Sequence, residues 1–184
     1  MNKGLSAWLF SKMVMLSFLL IVFSIMGGFL TILNERAFND SASILCLQAR
    51  EYLSGVVNSN VISVEKIMPI PKVLPSETNQ KRRMYYLVIS YSSSDNSVSF
   101  AVTHDLYHDQ TYVSSSLLYL PSNSGIQWGS GDLRISSDKY RYLVIQKKQG
   151  ETTIYACKGI NPTTLKNCIS SQSPSAESDS IERV

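Results

Sequence analysis

The chain has 184 residues, 44% of them apolar, with 17 Lys or Arg against 14 Asp or Glu and a net charge of +3. That balance is too even for a nucleic-acid-binding surface, and two histidines and three cysteines leave little from which to build a metal centre or a Ser-His-Asp set. Residues 34–184 amount to about 150, enough for one domain with its own core.

From Met13 to Leu33 there is no charged residue, and Leu, Ile, Val, Phe and Met dominate. At about 1.5 Å per residue a helix of that length crosses the roughly 30 Å hydrocarbon layer of a bilayer. A cleaved secretory signal has a shorter apolar core, about 7–15 residues, followed closely by a small-x-small site. Here Asn34-Glu35-Arg36 follows, and the first such triplet, Ser41-Ala42-Ser43, lies well beyond. The stretch is therefore expected to be an anchor. Lys3 and Lys12 precede it and no Asp or Glu occurs before Glu35, which places the N-terminus in the cytoplasm and the rest outside.

Beyond Leu33, apolar residues recur at Phe38, Ala42, Leu45, Ala49, Tyr52 and Val56, with Asn39, Asp40, Gln48, Arg50 and Glu51 between them. Steps of three and four predict an amphipathic helix. No proline occurs before Pro69, so the first stop signals are Gly55 and Asn58-Ser59-Asn60. Either one long helix or two helices bent at Gly27-Gly28 satisfies the pattern, because paired glycines weaken a helix interior. The expected organisation is a leader and transmembrane helix over 1–33 and its amphipathic continuation over 34–58. A proline-rich connection over 59–83, a β domain over 84–169 and a disordered tail over 170–184 complete it.

A long N-terminal helix, apolar first and amphipathic second, ahead of a β-rich domain resembles the type IV pilin architecture. Lys3-Gly4-Leu5-Ser6 is similar to the archaeal class III signal, in which a prepilin-type peptidase cuts after a basic-Gly pair. The resemblance implies a leader of Met1–Gly4, a mature chain starting at Leu5, and an apolar segment retained as both anchor and assembly handle. It covers residues 3–58 as a pattern and the remainder only as architecture. Bacterial-type pilins carry Glu at the fifth mature position, where this chain has Leu9, and Lys12 would sit in a filament core. That departure favours an accessory subunit over a major one. A lysine held at the membrane centre costs about 2.5–3.5 kcal/mol unless it snorkels to the interface.

In the connection, Pro69, Pro71 and Pro75 argue for a loop, although Val61–Met68 can pair as a strand. "MYYLVIS" and "VSFAVTH" flank "YSSSDN", and "YRYLVIQ" and "TIYACKG" flank "KKQGET". Each is a pair of β-branched and aromatic runs around a turn cluster, hence a hairpin. "TYVSSSLLYL" is a further strand, for five or six antiparallel strands and an α+β fold. Tyr85–Ile89 recurs as Tyr140–Ile145, a likeness too short to establish duplication, since central strands draw on the same few residues.

Cys157 and Cys168 close a loop containing Gly159 and Asn161-Pro162, and a disulfide there suits an oxidising exterior. Cys46, on the helix stripe, is expected to be a small buried hydrophobe. Asn39-Asp40-Ser41 matches the glycosylation acceptor pattern. His104, Asp105, His108 and Asp109 are the one cluster with metal-ligating residue types, and without a further His or Cys partner no metal is expected. Lys81-Arg82-Arg83 lacks interleaved aromatics, so a solvated loop is expected there and no nucleic-acid partner. No phosphate-cradling glycine loop occurs. Neither a cofactor nor an enzyme is expected. The expected function is a membrane-anchored, pilin-like structural or surface protein. It would self-associate, or pack with other pilin-like subunits, through a helix in which Gly27 and Gly28 permit close approach. The alternative is a single-pass anchored extracytoplasmic binding domain that does not enter a filament.

Overall fold

The structure, a computed structural model, describes residues 3–74, 84–103, 114–122, 124–159 and 168–178. Helix α1 runs unbroken over Lys3–Val57, so of the two expected arrangements the chain adopts the single helix. Gly27 and Gly28 lie inside it without interrupting it. Gly55 is not the stop. It falls in the last turn, where the Lys66 side chain occupies the space a Cβ would need. The Lys66 ammonium also stands 6.0 Å from the Tyr52 ring, a cation–π distance. The helix ends at Val57, immediately before the expected stop Asn58-Ser59-Asn60. Asn58 N donates to Ser54 O at 3.0 Å and Ser59 N to Val56 O at 3.2 Å, and Lys147 Nζ donates to Val57 O at 3.1 Å and to Ser59 O at 2.8 Å.

The strands are β1 (Ser63–Pro69), β2 (Tyr86–Ser92), β3 (Ser97–Thr103), β4 (Ser114–Tyr119), β5 (Leu133–Ser136), β6 (Tyr142–Lys148), β7 (Glu151–Cys157), β8 (Cys168–Ser170) and β9 (Ser173–Ser178). They form a four-stranded sheet in the order β4-β3-β2-β5 and a five-stranded sheet in the order β1-β6-β7-β8-β9. Every named pair is antiparallel. The two expected hairpins are β2–β3 and β6–β7. Their turns place Asn96, Gln149 and Gly150 at positive φ.

Strand β1 lies where Val61–Met68 was expected to be able to pair, and it runs one residue further, through Pro69, because it is an edge strand, where a missing N–H interrupts no ladder. Two expectations change. Ser173–Ser178, expected in the tail, pairs with β8 as β9, since β8 would otherwise be an open edge. The strand count rises to nine among the described residues, because β5, β8 and β9 are too short or too polar to carry a periodic signal.

The apolar faces of both sheets and one face of α1 meet in a single core. Leu87, Ile89, Phe100, Leu133 and Ile135 come from one sheet, and Leu143, Ile145, Ile154 and Ala156 from the other. The sheets approach each other where β5 meets β9, and α1 bridges the opposite side, packing on β4, β3, β1 and β6. The expected helical stripe is the inserted face: Phe38, Ala42, Leu45, Ala49 and Val56 are buried and Tyr52 is packed at its margin. The Leu-Val-Ile recurrence has a shared physical cause. Strands β2 and β6 each sit between two others, and Leu87-Val88-Ile89 and Leu143-Val144-Ile145 are buried throughout.

Candidate functional site

The apolar half of α1 stands apart from the folded domain. Trp8–Leu30, 23 residues with mean hydropathy 2.5, is long and apolar enough to cross a membrane, and none of it is buried by the rest of the chain. At about 1.5 Å per residue it rises roughly 34 Å, slightly more than a hydrocarbon core. Lys12 lies within this span, and its ammonium stands 5.8 Å from the centre of the Trp8 ring one turn earlier. An indole and an ammonium on one face near a helix end form the pairing that membrane–water interfaces favour. Lys3, Gly4 and Leu5 belong to the first turn of α1. A Cβ at Gly27 or Gly28 would meet nothing within 4 Å beyond its own helix.

Asn39 is exposed on α1, and the Ser41 hydroxyl of its acceptor pattern donates to Ala37 O at 2.8 Å. The pattern therefore sits on a helix in the folded chain, not in a loop. The cluster His104, Asp105, His108 and Asp109 and the run Lys81-Arg82-Arg83 lie outside the described residues. Among the described residues no group of three or more His, Cys, Asp or Glu is placed to hold a metal ion.

Cys157 and Cys168 are joined in a disulfide, with Cα atoms 4.1 Å apart at directly opposed positions of β7 and β8. Both are buried in a second apolar cluster with Val144 and Tyr155, on the face of the sheet away from the main core. Cys46 is reduced and buried, as its place on the stripe implies, and its thiol donates weakly to Ser114 O at 3.9 Å. Burial pushes that thiol up from 9.0 to about 11. Burial likewise raises Tyr85, against a smaller lowering by Arg141. Its hydroxyl donates to Pro71 O at 2.6 Å.

Both groups hold their proton more tightly when folded than when unfolded. Below pH 9.0 both contributions are complete; that of Cys46 is lost as pH rises from 9.0 toward about 11, and that of Tyr85 begins to be lost only above 10.0. Urea melts between pH 7 and 11 should be level at first and then shift to lower midpoints in that window, with Cys46→Ala moving the onset upward. A midpoint that stays level to pH 11 would contradict the burial assigned to these groups.

Two features were not legible in the sequence: the Lys147 cap on α1, and a hollow lined by Tyr91, Ser93, Trp128, Gly129, Gly131 and Asp132. The only local signal for the second was a tryptophan in the glycine-rich stretch "QWGSGD". No known protein family, no curated protein and no solved structure matches this chain.

Proposed function

We propose that this chain is a membrane-anchored, pilin-like surface protein that associates through α1 and holds its β domain outside the cell. The observation that carries this is the continuity of α1: one helix has an unburied apolar half and an amphipathic half that forms part of the domain core. Such a helix cannot move in the bilayer without carrying the domain with it. Lys3 and Lys12 orient it with the N-terminus in the cytoplasm, and the Cys157–Cys168 disulfide suits an oxidising exterior. Ile44 and Leu47 are exposed on the side of α1 away from the buried stripe, and in the apolar half Gly27 and Gly28 permit close approach of a neighbouring helix.

The test is N-terminal sequencing and intact mass of the protein from its native membrane, without reductant. We expect a mature chain starting at Leu5 and lighter by two hydrogens at the cystines. A terminus at Met1 or Asn2 would remove the prepilin-type peptidase and leave a plain single-pass anchor. A start beyond Leu33 would remove the anchor altogether.

A further inference from the structure

The connection between β4 and β5 begins and ends in the four-stranded sheet, and on its way it is tied to the five-stranded sheet at several points. Gln127 N donates to Thr152 O at 2.8 Å, and Thr152 N donates to Gly125 O at 2.9 Å. Gly129 N donates to Ser171 O at 2.7 Å, and Ser171 Oγ donates to Gln127 O at 2.7 Å. A side chain at Gly129 would run into the Gln172 backbone carbonyl, so only glycine permits this approach. Trp128 is thus held between two anchored residues, and its indole N–H donates to Gly131 O at 2.9 Å. Across from it stands Tyr91, with ring centres 6.0 Å apart and planes tilted by 43°. The Tyr91 hydroxyl donates to Asn96 Oδ1 at 3.1 Å, and Asn96 Nδ2 donates to Leu120 O and Pro121 O.

Both rings are therefore fixed, their polar atoms are engaged within the protein, and both line one hollow. The hollow has a volume of about 350 Å³, at the small end of the roughly 300–1,000 Å³ range of ligand pockets. Its other walls are Ser93, the backbone of Gly129 and Gly131, and the Asp132 carboxylate, which lies 3.7 Å from the Arg134 guanidinium.

We propose that this hollow binds a saccharide, with the C–H face of one sugar ring against Trp128 and Tyr91 and its hydroxyls on Asp132 and Ser93. A pyranose has the matching chemistry: apolar C–H faces, a rim of hydroxyls and no charge. The Arg134 partner offsets the Asp132 charge, which favours a neutral polyol over a quaternary ammonium ion, the other ligand that aromatic walls select. Pre-set rings lose little freedom on binding. The hollow also lies well for an outside ligand. Its loop begins beside the β6–β7 turn, where Gln149 N donates to Ile62 O just beyond the end of α1, remote from the membrane half. The site is independent of whether α1 enters a filament.

The test uses the full chain in lipid nanodiscs. Saturation-transfer NMR with chitobiose, maltotriose and mannobiose should transfer signal to the ring C–H protons of at least one of them. Trp8→Phe leaves Trp128 as the sole tryptophan, and its emission should change saturably with that sugar, with Kd of about 0.1–10 mM. Asp132→Asn, at a partly exposed position, should raise Kd about tenfold, while choline chloride should leave the emission unchanged. The proposal is overturned by the absence of transfer and of emission change with every sugar to about 50 mM. It is equally overturned by an unaltered Kd in Asp132→Asn, or by choline binding more tightly than any sugar.

Discussion

A chain lacking residues 1–57 will not fold, whereas one lacking only residues 1–33 will fold. The contrast follows from where α1 is buried. Phe38, Leu45, Leu53 and Val56 are each at most 3% exposed and point into the core shared by both sheets. At about 1.5–3 kcal/mol for each large apolar side chain buried, these four contribute roughly 6–12 kcal/mol. That is comparable to the whole stability of an ordinary domain, about 5–15 kcal/mol. With the helix gone, β4 and β1 would also become open edges beside an exposed apolar face, which invites aggregation. Trp8–Leu30 contributes nothing to that core, since this membrane-length segment is unburied throughout. Far-UV circular dichroism and thermal melts of the two truncated chains decide the matter. Cooperative melting of residues 58–184 alone would show that the helix is an appendage and not part of the domain. Leu53→Ala in the full chain is the graded version, with an expected loss of about 2–5 kcal/mol.

Reduction of the Cys157–Cys168 disulfide should lower stability by about 2–3 kcal/mol without unfolding the protein at room temperature. The bond closes a loop with a sequence separation of 11, and its main effect is to restrict the unfolded chain. In a domain of this size that corresponds to a fall in melting temperature of about 5–10 °C. The fold should survive because β7 is also paired with β6 along its whole length, from Tyr142↔Cys157 to Lys148↔Glu151. What reduction loosens is the outer edge, β8 and β9, where Cys168 itself lies and from which β8 sends Ile169 into the main core. Hydrogen exchange on the reduced protein should therefore speed up at Cys168–Ser170 before it does in β6. Equal melting temperatures with and without dithiothreitol would show that the bridge contributes no restraint.

The parts of this protein legible in its sequence are those whose signal is local. The apolar run is recognisable because its length and unbroken apolar composition are themselves the signal, so no neighbour is needed to interpret it. The helix stripe from Phe38 to Val56 is recognisable because one face of a period-3.6 helix is buried, whatever buries it. The hairpins β2–β3 and β6–β7 are recognisable because their partners are adjacent in the chain and separated by turn residues. The cysteine pair was readable from its short loop and the inferred compartment.

Tertiary structure decided everything that depends on residues far apart. Ser173–Ser178 has no apolar pattern and becomes a strand only because β8 presents an edge for it to pair with. Ser63–Pro69 pairs with a strand some 80 positions away, between Ser63 and Lys148 at one end and Pro69 and Tyr142 at the other. Strands with similar sequences, β2 and β6, go to different sheets, since what separates them is their neighbours β5 and β1. The helix stops at the local signal Asn58-Ser59-Asn60, but the donor to Val57 O and Ser59 O is Lys147, about 90 positions on. Tyr91 and Trp128 face each other because the β4–β5 connection is hydrogen-bonded to β7 and to Ser171. Local periodicity reports which face of an element is apolar; which elements share that face is set by packing and backbone pairing between distant segments, and these leave no periodic trace in the chain.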